Sequence, residues 1–249
     1  MNLLPAILSF IIVFQCAAQN ATFKEIKLKP NAKYFTTKEQ TIVFPVVTTR
    51  NPKIDKLINT QIKKDVFEPD DENQSLKKLL LENINEYGLT DVSYEITYNN
   101  HNFLSFSIFS QGCGAYCSSS TTYFNFDLAT GKKVSIDDVI LKSKIDSFKN
   151  VVQSDKINIL NKYKIEEKGL IGSDDIDSSA YEWIISEVDN NCINQISLET
   201  FSVSGNSLEI LDPCEFPHVI RSQEPAIELK YTFSSIEKFL TPRFKKILK

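Results

Sequence analysis

Residues 103–140 read FLSFSIFSQGCGAYCSSSTTYFNFDLATGKKVSIDDVI. An apolar run is followed by a loop of glycine and cysteine, an aromatic run, a Thr-Gly turn and an acidic pair. In the first run Phe103, Ser105, Ser107 and Phe109 share one face of a strand, and Leu104, Phe106 and Ile108 share the other. Neither face is fully polar, which is the pattern of a central strand. Residues 123–128 return as an aromatic strand, and Thr130-Gly131 turns the chain. Asp137 and Asp138 then suit the exposed N–H groups and positive dipole of a helix start.

Working outward, residues 92–98 (VSYEITY) alternate as a half-buried strand that leads into the turn residues Asn99, Asn100, His101 and Asn102. Residues 41–48 (TIVFPVVT) read as an edge strand, since Pro45 has no N–H to give a central ladder. Ile54, Leu57, Ile58, Ile62 and Val66 recur at helical spacing behind Pro52. Leu76, Leu79, Leu80 and Ile84 form a second amphipathic helix, stopped by Gly88. Beyond residue 140 the spacing predicts a helix over 144–164, with Ile145, Phe148, Val152 and Leu160 inward. An acidic loop over 165–179 and a short helix over 181–188 follow. Residues 198–203 and 208–211 make a hairpin across Ser204-Gly205-Asn206, and 226–233 form a last strand. Ser234 and Glu237 read as the capping box of a C-terminal helix that Pro242 breaks. The fold class expected is α+β, a mostly antiparallel sheet with helices packed on one face.

The chain has 249 residues, 42% of them hydrophobic and 24% charged, an ordinary globular composition. Its net charge of -4 comes without a basic stripe, so nucleic acid is not an expected partner. Residues 3–14 are almost unbroken apolar sequence, shorter than the roughly 20 residues a membrane helix needs. Cys16-Ala17-Ala18-Gln19 follows as a small-residue cleavage zone, so residues 1–19 read as a signal peptide. The alternative use of Cys16 is lipidation. No transmembrane segment is expected after signal cleavage, and the protein is expected to be exported to the periplasm, cell surface or medium.

Of five cysteines, the four beyond the leader are Cys113, Cys117, Cys192 and Cys214. An even number in an exported chain points to disulfides, and four cysteines allow three pairings that sequence does not decide. The reading favours Cys113–Cys117, stapling a loop tip, and Cys192–Cys214. The Cys-x-x-x-Cys and Cys214-x-x-x-His218 spacings are weak zinc signatures, so no metal or other cofactor is expected.

His101 and His218 are the only histidines, and neither sits in a hydrolase elbow, a zincin helix or a phosphate loop. No catalytic residue is assigned. Asp174, Asp175 and Asp177 lack EF-hand spacing and read as a solvated acidic loop. Gly112, Gly114, Tyr116 and Ser118 form a candidate recognition loop, because function concentrates in loops held by a scaffold.

In order and character, these elements resemble a secreted bacterial domain family of unknown function. It is found in RsiV-type anti-sigma factors, which bind lysozyme, and beside the catalytic domain of PdaC-type peptidoglycan deacetylases. The carriers of the likeness are Gly112, Cys113, Gly114, Ala115 and Tyr116, then Phe124, Phe126 and Asp127, then Thr130-Gly131-Lys132 and Asp137-Asp138. Asn51, Ile54, Ile58 and Asn59 carry it upstream. Residues 201–211, Asp212-Pro213 and residues 227–240 carry it downstream. The family's loop histidine stands here as Tyr116 and its turn tyrosine as Cys214. The resemblance implies an N-terminal strand-helix segment over 20–98 and the RsiV/PdaC-like domain proper over 99–249. It implies a non-enzymatic envelope binding module whose partner is a lysozyme-like protein or peptidoglycan. The deacetylase motifs are absent. Two other classes compete: a cell-wall-directed hydrolase, which needs a titratable cleft, and a structural surface lipoprotein, which needs acylated Cys16.

Overall fold

A computed structural model describes residues 20–34, 41–69, 73–169, 171, 178–194 and 196–248. The leader, Cys16 and the acidic residues Asp174, Asp175 and Asp177 lie outside the described residues. Strands β1 (Thr22–Leu28) and β2 (Ile42–Thr48) pair antiparallel, with Pro45 opposite Glu25. Helices α1 (Pro52–Phe67) and α2 (Leu76–Asn85) follow. Next comes a four-stranded antiparallel sheet of β3 (Leu89–Asn99), β4 (Phe103–Cys113), β5 (Cys117–Asp127) and β6 (Lys132–Lys133), in that order. A short α3 (Ile136–Val139), a long α4 (Ile145–Gly169) and α5 (Ser178–Glu187) lead to a three-stranded antiparallel sheet. Its strands are β7 (Phe201–Ser204), β8 (Ser207–Ile210) and β9 (Leu229–Thr232), and α6 (Pro242–Ile247) closes the chain. The class is α+β, with antiparallel sheets and helices in contact with them.

β4 is the central strand, paired to β3 on one edge and β5 on the other. Its even-numbered side chains Leu104, Phe106 and Ile108 face one core, built with Phe124 and Phe126 of β5, Phe44 of β2, Ile58 and Ile62 of α1, and Leu80 and Ile84 of α2. Phe106 stacks on Phe124 at 5.0 Å between ring centroids and takes the edge of Phe23 at 5.5 Å. Each such pair adds about 0.5–1.5 kcal/mol beyond area burial. Asn51 caps α1 by accepting from the Lys53 N–H (3.0 Å), and Pro52 occupies the first turn, where its missing N–H is not needed. Gly131, at φ +72°, brings the β5–β6 turn down on α1; a Cβ there would lie 3.3 Å from both Ile54 and Leu57.

The other face of the sheet meets β7 through polar side chains. Ser105 is buried and accepts from the Val203 N–H at 3.0 Å. The Thr97 hydroxyl lies 3.0 Å from that of Ser202 and donates to Ser105 Oγ at 3.1 Å. Asn125 Nδ2 donates to the Phe201 carbonyl at 2.7 Å. Beyond this seam a second core gathers Phe148 and Val152 of α4, Val203, Leu208, Ile210 and Leu229 of the three-stranded sheet, and Phe244 of α6 around Phe103.

Three local expectations are revised. The helix expected to stop at 164 runs to Gly169, into the stretch read as an acidic loop, and Glu167 on this added turn is buried. The C-terminal helix does not start at Ser234: residues 233–239 are turns. Pro242 is the first residue of α6 and not its break, with Thr241 held extended before it and its hydroxyl accepting from the Phe244 N–H at 3.1 Å. β1 carries no assignment in the sequence reading, since Phe23, Ile26 and Leu28 do not alternate evenly and are only half-buried.

Replacing Asn125 by Ala should cost about 1–3 kcal/mol, because it leaves the Phe201 carbonyl buried without its donor; chemical denaturation measures it. Glu167 gives a pH-dependent counterpart. Burial, and then the neighbouring Glu166, raise its carboxyl above the ordinary value. The protonated form is therefore favoured in the folded state. Its contribution to stability is full below about pH 4 and is lost as pH rises through the raised folded value. Glu167→Gln should raise the denaturation midpoint at neutral pH, with the gain vanishing below about pH 4.

Candidate functional site

The β4–β5 ladder runs without a register break from Phe103–Asp127 to Cys113–Cys117. The loop residues Gly112, Gly114, Tyr116 and Ser118 therefore sit at the far end of a long hairpin. Cys113 and Cys117 are bonded across its last pair, with Cα atoms 4.0 Å apart. Gly114 N–H donates to the Tyr116 carbonyl at 3.1 Å, so the three residues outside the bond form a tight tip. Tyr116 is 70% exposed.

What anchors the tip lies on the strand before it. The Cys113 N–H donates to the Gly88 carbonyl at 2.8 Å, and Thr90 Oγ1 donates to the Gln111 carbonyl at 3.1 Å. Gly88 has φ +69°, and a Cβ there would stand 2.2 Å from the Cys113 carbonyl oxygen. Only glycine fits this close approach. By contrast, a Cβ on Gly114 meets nothing within 4 Å, and one on Gly112 makes an ordinary 3.7 Å contact with the Tyr87 carbonyl. The glycine the tip depends on is thus the one that sequence reading used only as a helix stop. Tyr87, beside it, is 68% exposed, and a Cβ on Gly88 would also stand 3.4 Å from the Tyr34 ring. The tip presents Tyr116 on a backbone fixed by a disulfide and a ladder.

The second disulfide joins Cys192 to Cys214, both buried in a small core with Leu160, Ile184, Val188 and Phe216. It lies away from the tip, so Tyr116 and Cys214, the two departures from the family pattern, belong to different places. With all four sulfurs bonded, neither cysteine spacing offers zinc a thiolate. Asp212, in the same turn as Cys214, pairs with Lys156 of α4 at 2.7 Å; both are buried, and Asp212 also accepts from the Ser197 N–H at 3.2 Å. Sequence reading passed over Lys156 as one more helix residue; the available signal was its place on the Val152–Leu160 face. A cleft of about 920 Å³ opens beside this turn, lined by Thr121 and Tyr123 of β5, Asn191, Thr200, Asp212 and Glu215 among others. Burial, then Glu209 and Glu95, push the Tyr123 hydroxyl up from its ordinary value.

His101 lies in the β3–β4 turn, exposed, at the opposite end of β4 from Tyr116. His218 opens a short 3-10 stretch, residues His218–Gln223. Among the described residues no group of three His, Cys, Asp or Glu side chains is placed to hold a metal.

No protein-family model matches the chain, and no curated protein matches it. Solved structures do. A DUF3298 family member from Bacteroides fragilis aligns over 92% of this chain and 98% of its own, with a TM-score of 0.61 and 14% identity. A DUF3298 family protein from Pseudomonas aeruginosa aligns over 90% of this chain and 95% of its own, with a TM-score of 0.54 and 11% identity. The chain has the DUF3298 fold. DUF3298 is the domain carried by RsiV- and PdaC-type proteins, so the likeness read from the sequence motifs and the likeness of fold converge. At these identities what is shared is the fold, and function has to be argued from the site.

Gly88→Ala should cost about 1–3 kcal/mol by forcing a strained backbone and a clash into the tip anchor. Gly114→Ala should stay within about 0.5 kcal/mol. Thermal or chemical denaturation of the two variants side by side checks the assignment.

Proposed function

We propose that this protein is a non-enzymatic binding module of the cell envelope or extracellular space, and that the β4–β5 tip recognises a lysozyme-like protein or cell-wall glycan. The observation that carries the reading is the exposed Tyr116 on a tip whose backbone is held by the Cys113–Cys117 bond and the Gly88 contact. Holding the loop before binding removes much of the ordering cost that a free loop would incur. An aromatic ring such as that of Tyr116 on a held loop suits both a protein surface and the flat face of a sugar. The partner classes come from the family resemblance. Two disulfides in a chain of this size fit an oxidising compartment, and among the described residues no helix is long and apolar enough to cross a membrane. We take residues 20–98 and 99–249 as the N-terminal segment and the family domain, joined through the β3–β4 hairpin.

The test is calorimetry of the oxidised protein against lysozyme and against soluble peptidoglycan fragments. Saturable binding to one of them is expected. Tyr116→Ala should weaken that binding by about tenfold, roughly 1.4 kcal/mol, with the fold retained by circular dichroism. Absence of binding to both ligands would remove the reading.

A further inference from the structure

The outer edge of β5 is open. β6 pairs only with Phe126 and Asp127, and the Val134 N–H adds one bond to the Asn125 carbonyl at 2.8 Å. From residue 124 back to 117, no strand among the described residues covers that edge, although β5 continues for its full length against β4. In an antiparallel ladder alternate residues turn their N–H and C=O toward opposite edges. Since the Asn125 carbonyl faces outward, Ser119, Thr121 and Tyr123 present their main-chain donors and acceptors to the same open side.

Exposed edges are commonly blunted with lysine, proline or a bulge. Residues 118–124 read SSSTTYF, with no charge and no proline, and their register against β4 is unbroken. Side-chain space flanks the edge on both faces. On one face Thr121 and Tyr123 form a wall of the 920 Å³ cleft. On the other, Thr122 borders a hollow of about 470 Å³ with Lys64, Asp65, Glu68 and Lys133. An open ladder with pockets on alternating sides is the arrangement used for recognition by strand addition, in which main-chain bonds give affinity and the pockets give specificity.

Charge selects the occupant. The residues lining the larger cleft include Asp212 and Glu215 and no lysine or arginine. Lys156 already matches Asp212, but Glu215 is exposed, and its N–H donates to another carboxylate, Glu224 Oε1, at 3.1 Å. Glu209 of β8 and Glu95 of β3 also act on Tyr123.

We infer that β5 accepts an extended peptide segment of a partner protein as an added strand along Ser119, Thr121 and Tyr123, with basic side chains of that segment directed into the carboxylate-lined cleft. The site is separate from the hairpin tip and does not depend on Tyr116.

The probe is a short synthetic peptide of alternating threonine and lysine, with a threonine–glutamate peptide as its control, added to the oxidised protein. Amide hydrogen exchange at Ser119, Thr121 and Tyr123 is the first readout. These amides should exchange fast in the free protein and slow down with the basic peptide only. Thr121→Pro removes an outward N–H that β4 does not use, and should weaken the basic peptide by about tenfold. Thr121→Lys keeps the N–H, guards against a folding defect in the proline variant, and should shift preference toward the acidic peptide. Tyr116→Ala should leave peptide binding unchanged, so loss of tip recognition and loss of edge recognition are read separately. No protection at the three amides, equal binding of both peptides, or protection that arises from dimerisation without peptide would each overturn the inference.

Discussion

β4 is fully buried from Phe103 to Ile108, and that sets the rest of the molecule. A buried strand must find hydrogen-bond partners for every main-chain group, so it needs a neighbour on each edge; β3 and β5 supply them along its length. A strand with both faces covered also has to satisfy two different surroundings. One face is a stack of phenylalanines against α1, α2 and β2, and the other is a row of small hydroxyls against β7. Serine at 105 is small enough for β7 to approach and polar enough to accept from its main chain. Phenylalanine at position 105 would hold β7 away from the sheet. Alanine would leave the Val203 N–H without an acceptor, so the seam specifies which surfaces meet as well as how tightly.

The charged contacts serve the same placement. Asp127 ends β5, accepts from the Ala129 and Thr130 N–H groups at 2.9 and 3.2 Å, and takes Arg243 of α6 at 2.7 Å. The C-terminal basic stretch is thereby tied to the end of the central hairpin. Asp212 and Lys156 play the corresponding part for the turn that carries Cys214. Breaking one member of that buried pair would be far more damaging than exchanging both for apolar residues, because the surviving charge would be left uncompensated.

Period and punctuation made much of this legible in the sequence. The inner parts of β4 and β5, the two N-terminal helices and the Ser204–Ser207 hairpin follow from alternation, helical spacing and turn residues, whereas Gln111–Cys113 and Cys117–Ser120 read as loop and are strand only because they pair with each other. The parts that escaped depend on contacts distant in sequence. β1 is a strand because β2 pairs with it; its own pattern is too irregular to say so. α4 continues past Lys164 to Gly169, which a string of polar residues does not announce. Pro242 looks like a helix breaker in isolation and a helix starter once the preceding turns are known. For the candidate site, the tip could be located from Cys113 and Cys117. Its dependence on Gly88 could not, since the close approach joins residues 25 positions apart.

The tip and the β5 edge also differ physically in a way that bears on how the molecule can work. The tip is covalently closed and anchored, which limits how far its backbone can rearrange. The edge exposes main-chain groups that any extended chain can satisfy, so it is permissive in backbone and selective only through the charge and size of what enters the flanking hollows. A short, uncharged edge carries the hazard of pairing with its own copy. Here β6 stops it at one end and the disulfide-closed tip at the other, which limits the length of any added strand to the residues between. Two such surfaces on one hairpin share β4 as their support. Any rearrangement that loosened the Ser105–Val203 seam would therefore be felt at both.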